Sequence, residues 1–164
     1  MPEKITVTVS KLEPADFCTF QSAIDWVPDP VLHHYLIKGL DAETYDEDLV
    51  IAKTIADGSI TLQGFYNGFT RTRLINTRAG TILTTYAHRV TSYGMWYDLR
   101  PCNKGTGIWV APSYNYFNAI GNYFTAGCPE NTAIGIDLAG SNDQWLIYNN
   151  LFRGFAADAQ VVVR

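Results

Sequence analysis

Cysteine is scarce. Cys18, Cys102 and Cys128 are the three in 164 residues, and their spacing matches no metal-ligand pattern and no disulfide framework. An odd count in a chain expected to be made in a cytoplasm predicts free thiols. Cys102 and Cys128 lie about one repeat apart in the pattern described below, so they could be stacked neighbours, though reduced packing residues are the expectation. No apolar run reaches the roughly 20 residues of a membrane-spanning helix, and the opening Met-Pro-Glu-Lys has no signal-peptide pattern. No membrane insertion is expected. Basic residues are in the minority, and the net charge of −4 argues against nucleic acid as a partner.

Charged residues make up 17% of the chain and apolar residues 47%, which excludes disorder and allows one well-packed domain. Aromatics reach 13%, with ten Tyr and four Trp. A core of this size does not need so many, so some should lie on the surface or in an interface. Charge is uneven along the chain. Eleven acids and four bases precede Ser59, whereas Ser59 to Arg100 holds five Arg and one Asp. Such ends could steer assembly, or simply be two solvated faces.

Lys4 to Ser10 alternates polar and β-branched residues and reads as a strand. Asp16 is a candidate N-cap, and Phe17, Phe20, Ala23, Ile24 and Val27 follow at helical spacing. This predicts an amphipathic helix of roughly three turns, stopped at Pro28-Asp29-Pro30. Short strands follow in HHYLIKGL, in Tyr45 to Ile51, in SITLQGF from Ser59 and in TILTTYA from Thr81, with Tyr66-Asn67-Gly68 as a tight-turn signal. No second helix is expected downstream.

A repeat decides between a sandwich, a barrel and a solenoid. The segment from Thr106, TGIWVAPSYNYFNAIGNYF, matches IGIDLAGSNDQWLIYNNLF from Ile134 at an ungapped offset of 28 residues. Gly107 meets Gly135, Ile108 meets Ile136, Ser113 meets Ser141, Asn122 meets Asn150 and Phe124 meets Phe152. A weaker copy begins at Gly80. A fixed period with several short strands per repeat is a solenoid signature. Like residues would stack about 4.8 Å apart in successive coils, with Asn122 over Asn150 as an Asn ladder and Phe124 over Phe152 inside. The predicted fold is all-β, a short right-handed parallel β-helix with one N-terminal capping helix. Residues 1–58 would form an opening module, and residues 59–164 about four coils.

The stretches ITVTVS, DFCTFQSAIDWV, LDAETYDEDLVI and SITLQG, followed by the coils GIWVAPSYNYFNAIGNYF and GIDLAGSNDQWLIYNNLF, resemble the pectate-lyase-like parallel β-helices of bacteriophage tail and spike proteins. The acidic turn reads Asp41-Ala42-Glu43-Thr44-Tyr45, without the Gly usual there. The resemblance implies a homotrimer in a virion, made in the host cytoplasm and in contact with other virion proteins. It also raises binding or cleavage of a host surface glycan as an alternative.

Glycosidic cleavage commonly needs two carboxylates about 5 to 9.5 Å apart. In a solenoid these would come from equivalent positions on neighbouring coils. Asp137 is opposite Trp109, Asp143 is opposite Asn115, and Asp98 has only Arg100 nearby as a lyase-type base. No catalytic residues are assigned. Asp46-Glu47-Asp48 could bind a cation, but reads better as a solvated strand whose Leu49 and Ile51 reach the core. Adjacent His33 and His34 point to opposite faces and, like the lone His88, read as structural. No phosphate loop or nucleophile elbow is present. No cofactor or metal is expected.

The outward aromatics are the remaining candidates. Alternation places Trp109 outside and stacks Ile120 on Tyr148, and Tyr93, Trp96, Tyr97, Tyr114, Tyr116 and Tyr123 add to the set. They could bind sugar rings or bury against sister subunits. The β-branched stretch Ala159 to Arg164 stops as a strand edge, which favours subunit contact. Trp96, Trp109, Tyr114, Tyr116, Ile120 and Tyr148 are the interface or binding candidates. Gly107, Gly135, Asn122, Asn150, Phe124 and Phe152 are the coil-stacking residues.

Overall fold

The computed structural model describes residues 1–78, 80–101, 105–114, 116–127, 133–139 and 144–155, and the backbone of residues 161–163. Cys102, Asn115, Cys128, Ser141, Asp143, Ala159, Gln160 and Arg164 lie outside the described residues.

An opening strand β1 (Lys4–Val9) leads to helix α1 (Phe20–Trp26). From there the chain winds through a repeated three-strand coil. The coils are β2 (His34–Gly39), β3 (Thr44–Asp46), β4 (Leu49–Ile51); β5 (Ser59–Gln63), β6 (Arg73–Ile75), β7 (Thr81–Thr85); β8 (Val90–Tyr93), β9 (Trp96–Asp98), β10 (Thr106–Val110); β11 (Asn118–Ile120), β12 (Tyr123–Thr125), β13 (Ile134–Leu138); and β14 (Leu146–Tyr148), β15 (Leu151–Arg153), β16 (Val161–Val163). The first strand of each coil joins a six-stranded sheet that begins at β1, and the second and third strands form two five-stranded sheets. Every pairing between these strands is parallel. The chain is therefore an all-β parallel β-helix with one short N-terminal helix. Four coils follow Ser59, and a further one, β2 to β4, already lies within residues 1–58.

The helix is shorter than its periodicity suggests, at seven residues. Phe17 is taken by the sheet instead. Its N–H donates to the Thr8 carbonyl at 3.0 Å, and its carbonyl accepts from Ser10 N–H at 3.1 Å. The N-cap is Thr19, whose Oγ1 accepts from Ser22 N–H at 3.2 Å, rather than Asp16. Asp16 accepts from both the N–H and the hydroxyl of Thr8 at 2.8 Å and so ties the incoming loop to β1. Phe20, Ala23 and Ile24 are fully buried and close the N-terminal end of the core.

Alternation within each strand sends one set of residues into the lumen, and parallel register stacks them. Tyr45, Leu74, Tyr97, Phe124 and Phe152 form one column of the second sheet. The Tyr97 and Phe124 rings stack 5.0 Å apart at 10°, and those of Phe124 and Phe152 stack 4.8 Å apart at 8°. In the third sheet Ile108 pairs with Ile136, as the 28-residue repeat requires, and with Leu83, 25 residues before it. Gly107 is dictated by this packing: an added Cβ would lie 3.0 Å from the Phe124 ring and 2.6 Å from the Gly135 carbonyl oxygen.

The Asn ladder forms, but each amide braces the neighbouring coil's backbone rather than the next amide. Asn122 Nδ2 donates to the Ser92 carbonyl at 3.0 Å, and its Oδ1 accepts from Met95 N–H at 3.0 Å. Asn150 repeats this one coil on, donating to the Ala119 carbonyl at 2.7 Å and accepting from Asn122 N–H at 2.9 Å. The bends they brace hold Gly94, Gly121 and Asn149 at φ of 66°, 63° and 55°, a left-handed conformation that Gly and Asn tolerate best. Asn122→Ala orphans a buried carbonyl and a buried N–H, at about 1–3 kcal/mol each. Thermal unfolding should show its midpoint lowered by several degrees, at about 2–4 °C per kcal/mol for a chain of this size. Asn118→Ala, which loses one half-buried bond to Thr91, should change it little.

Candidate binding site

The connection between β5 and β6 is a hairpin on the outside of the solenoid. Asn67 Oδ1 accepts from Phe69 N–H at 3.1 Å and from Thr70 N–H at 2.9 Å, and Gly68 adopts φ 93°. An antiparallel bridge joins Tyr66 to Arg71. The Arg71 guanidinium lies 4.3 Å from the centroid of the Tyr66 ring and donates to the Gly121 carbonyl, two coils away, at 2.6 Å. Thr72 Oγ1 fixes the base of the hairpin by donating to the Asp41 carbonyl at 2.7 Å. Phe69 stands at the tip, 97% exposed.

Beside this hairpin runs an outward column of the second sheet: Arg73, Trp96, Tyr123 and Leu151, in register on β6, β9, β12 and β15. The Trp96 and Tyr123 rings are 5.7 Å apart and tilted by 30°. Hairpin and column enclose a groove of about 400 Å³ lined by Tyr66, Phe69, Arg71, Trp96, Tyr123 and Leu151 among others. A smaller groove of about 290 Å³ adjoins across Tyr123 and is flanked by Arg100 and Arg153. Among the described residues, no carboxylate lines either one.

Asp98 sets the geometry from behind. It occupies an outward position of β9 yet is fully buried. Its carboxylate accepts from Arg73 Nε at 2.7 Å, from Arg100 N–H, Nε and Nη2 at 3.1, 2.8 and 2.7 Å, and from Thr125 Oγ1 at 2.9 Å. Trp96 Nε1 in turn donates to Thr125 Oγ1 at 2.8 Å. The Arg73 and Arg100 guanidiniums therefore lie 5.1 and 5.3 Å from the Trp96 ring centroid, within cation–π range. Burial works to raise the Asp98 carboxyl. The side-chain and backbone bonds from Arg100, then Thr125 and the Arg73 charge, outweigh it and hold the group below the ordinary carboxylate range. Asp98 is thus engaged with both arginines, where the sequence left it with Arg100 alone.

Several other acids are also committed to structure. Asp137 sits opposite Trp109 in register, as expected, but is buried rather than presented outward. The run Asp46-Glu47-Asp48 is not a uniformly solvated strand. Asp46 accepts from Thr77 N–H and Oγ1, and Glu47 reaches back to cap α1, accepting from Phe20 and Gln21 N–H at 3.1 and 2.8 Å. Leu49 and Ile51 are core residues, as expected. Asp41 is buried and accepts from Ser10 Oγ, Lys11 N–H and Tyr45 OH at 2.8, 2.6 and 2.9 Å. His33 Nδ1 accepts from Glu3 N–H, and His34 Nδ1 is 3.0 Å from Ser59 Oγ. Among the described residues, no group of three or more His, Cys, Asp or Glu could hold a metal.

Tyr97, expected outside, instead faces the lumen and is fully buried, because alternation on β9 turns it opposite to Trp96; the other expected aromatics fall into three places rather than one surface. Trp96 belongs to the groove. Trp109 and Tyr114 pack edge-on against Tyr86, 5.6 and 6.4 Å away, and Tyr114 also meets His88 at 5.2 Å. Ile120 lies in register between Tyr93 and Tyr148 on the first sheet, and Tyr116 is exposed under Arg89. Sequence reasoning missed Tyr66, Phe69 and Arg71. The one available signal was Phe69, an apolar residue within a tight turn with no core to face.

Because the Asp98 pKa is depressed in the fold, its contribution is present above the unfolded value near 4 and is lost as pH falls through the lower folded value. Asp16, Asp41 and Asp46 act in the same direction. The thermal midpoint should hold from pH 7 to about 5 and fall below about 4. Asp98→Asn should lower the midpoint at pH 7, since it removes the buried charge that both arginines bond, and should flatten part of the acid fall. Differential scanning fluorimetry across pH reads both.

No family model, curated protein or solved structure matches this chain.

Proposed function

We propose that the chain is a virion structural protein: a β-helical module of a phage tail, tail fibre, spike or head decoration, acting in assembly or attachment. It packs as a homotrimer and has no catalysis of its own. The virion setting is what the resemblance to phage tail and spike β-helices implies. The observation that carries the assembly reading is the first sheet's outer face. There Tyr93, Ile120 and Tyr148 form a continuous row across β8, β11 and β14, with Leu146 beside it. Exposure rises to 49% at Leu146 and 64% at Tyr148. Burying such rows against a like surface is favourable by roughly 25 cal/mol per Å². Asp41, Asp46, Glu47 and Asp98 are consumed by structural bonds, which supports a non-catalytic role.

Glycan attachment is a second reading, and the groove of Tyr66, Phe69, Trp96 and Tyr123 favours it because sugar rings dock on aromatic faces. Of the two tryptophan candidates this reading favours Trp96, beside the hairpin, over Trp109, whose ring packs against Tyr86.

Light scattering on the purified chain should give a trimer at micromolar concentration. Leu146→Glu with Tyr148→Glu should give a folded monomer, with circular dichroism confirming the fold. A stable wild-type monomer would sink the trimer.

A further inference from the structure

We propose that the two adjoining grooves on the second sheet form one site for an acidic oligosaccharide, whose sugar rings lie on aromatic faces and whose carboxylates meet arginines. This rests on the glycan reading above and names its ligand class.

The argument is one of charge and shape together. The protein carries a net charge of −4, and eleven of its sixteen acids precede Ser59. The grooves run against that balance. Arg71 lines one, Arg100 and Arg153 flank the other, and among the described residues no carboxylate lines either. Arg73 stands in the same outward column. The carboxylate behind them, Asp98, is fully buried and bonded to Arg73 and Arg100. Among the described residues, one buried acid bonded to two of these four guanidiniums leaves an excess of positive charge at the surface. Each guanidinium has five N–H donors. Arg71 commits one to Gly121, and Arg73 and Arg100 commit two each to Asp98, so donors remain for a ligand.

The aromatic component selects among anions. A free phosphate or sulfate would need the arginines alone. Phe69, held out at the hairpin tip, and the Trp96–Tyr123 pair offer apolar faces that small anions cannot use. Tyr123 borders both grooves, so a chain of rings can cross it and pass from Arg71 toward Arg100 and Arg153. Single-stranded nucleic acid also combines charge with stacking. It needs a basic track along its backbone, however, and here the basic patch is local on an acidic protein. A carboxylate-bearing glycan fits the patch as it stands.

The test uses the whole chain on an array of uronate- and sialate-bearing oligosaccharides, each beside its carboxyl-reduced partner, with a twelve-nucleotide oligo(dT) as a second polyanion. Titration calorimetry then follows the acidic oligosaccharide that binds best. We expect binding of an acidic member, and about tenfold or greater loss on its carboxyl-reduced partner. Arg153→Gln should weaken the acidic ligand about fivefold, as for one partly solvated charge-assisted contact. Phe69→Ala, at a fully exposed tip, should weaken acidic and neutral members alike without disturbing the fold. Equal binding of acidic and carboxyl-reduced partners would overturn the acidic assignment and leave the glycan reading standing. Binding of no oligosaccharide would overturn both. Tighter binding of oligo(dT) than of any glycan would overturn the proposal in favour of nucleic acid.

Discussion

Parallel pairing in register is the constraint on which the structure depends. Each coil must return its strands beneath those of the coil before, so inward positions become columns that run the length of the solenoid. The first-sheet register steps by 25, 30, 27 and 28 residues, through Tyr35–Ile60, Ile60–Val90, Thr91–Asn118 and Asn118–Leu146. The step varies because chain length can be added between strands without shifting the columns. What cannot vary is the residue class inside. An Ile or Leu in the lumen contributes about 1.5–3 kcal/mol by burial, and a one-residue slip would turn that whole set outward. The Asn122 and Asn150 amides make the same demand of the bends, since each satisfies backbone groups of the neighbouring coil.

This explains how the acids are used. Asp41, Glu47 and Asp98 bond across chain distances far longer than any turn. In a solenoid, residues 25 to 30 apart are immediate neighbours, so a carboxylate can brace an adjacent coil as readily as its own loop. Glu47 shows the cost. Burial pushes its carboxyl above the ordinary range even as Phe20 and Gln21 N–H bonds pull it back. A negative charge at the start of a helix is favourable, and here it also ties the cap to the first coil.

The fold was largely legible because the repeat from Thr106 to Phe152 carries it without gaps. Trp109 opposite Asp137, Phe124 opposite Phe152 and Asn122 beside Asn150 are set by a fixed offset, which a sequence displays directly. The helix was less legible. Periodicity cannot show that Phe17 is recruited by β1, which displaces the start to Thr19. Nor can it show that the capping carboxylate arrives from Glu47. Both depend on what packs nearby, not on spacing. The candidate site was only half legible. Trp96 and Tyr123 could be placed outside by alternation. The wall opposite them comes from another coil, through a hairpin that reads as a mere turn. Asp98 was legible as an acid near Arg100, but its burial needed Arg73 from one coil before and Thr125 from one coil after.

The same geometry makes the outside of this protein a natural place for a binding site. Outward columns are freed from the packing demand, yet they inherit the spacing of the columns within. Trp96 and Tyr123 are neighbours on the surface because Tyr97 and Phe124 are neighbours in the core, one residue along and facing the other way. The surface rings are therefore held at strand spacing by a core that does not depend on their identity. A ligand with ring-like units meets a preorganised row, and little entropy remains to be lost on binding. The hairpin, anchored by Arg71 to Gly121 and by Thr72 to Asp41, lies outside that scheme. It converts an open row into a groove with two walls.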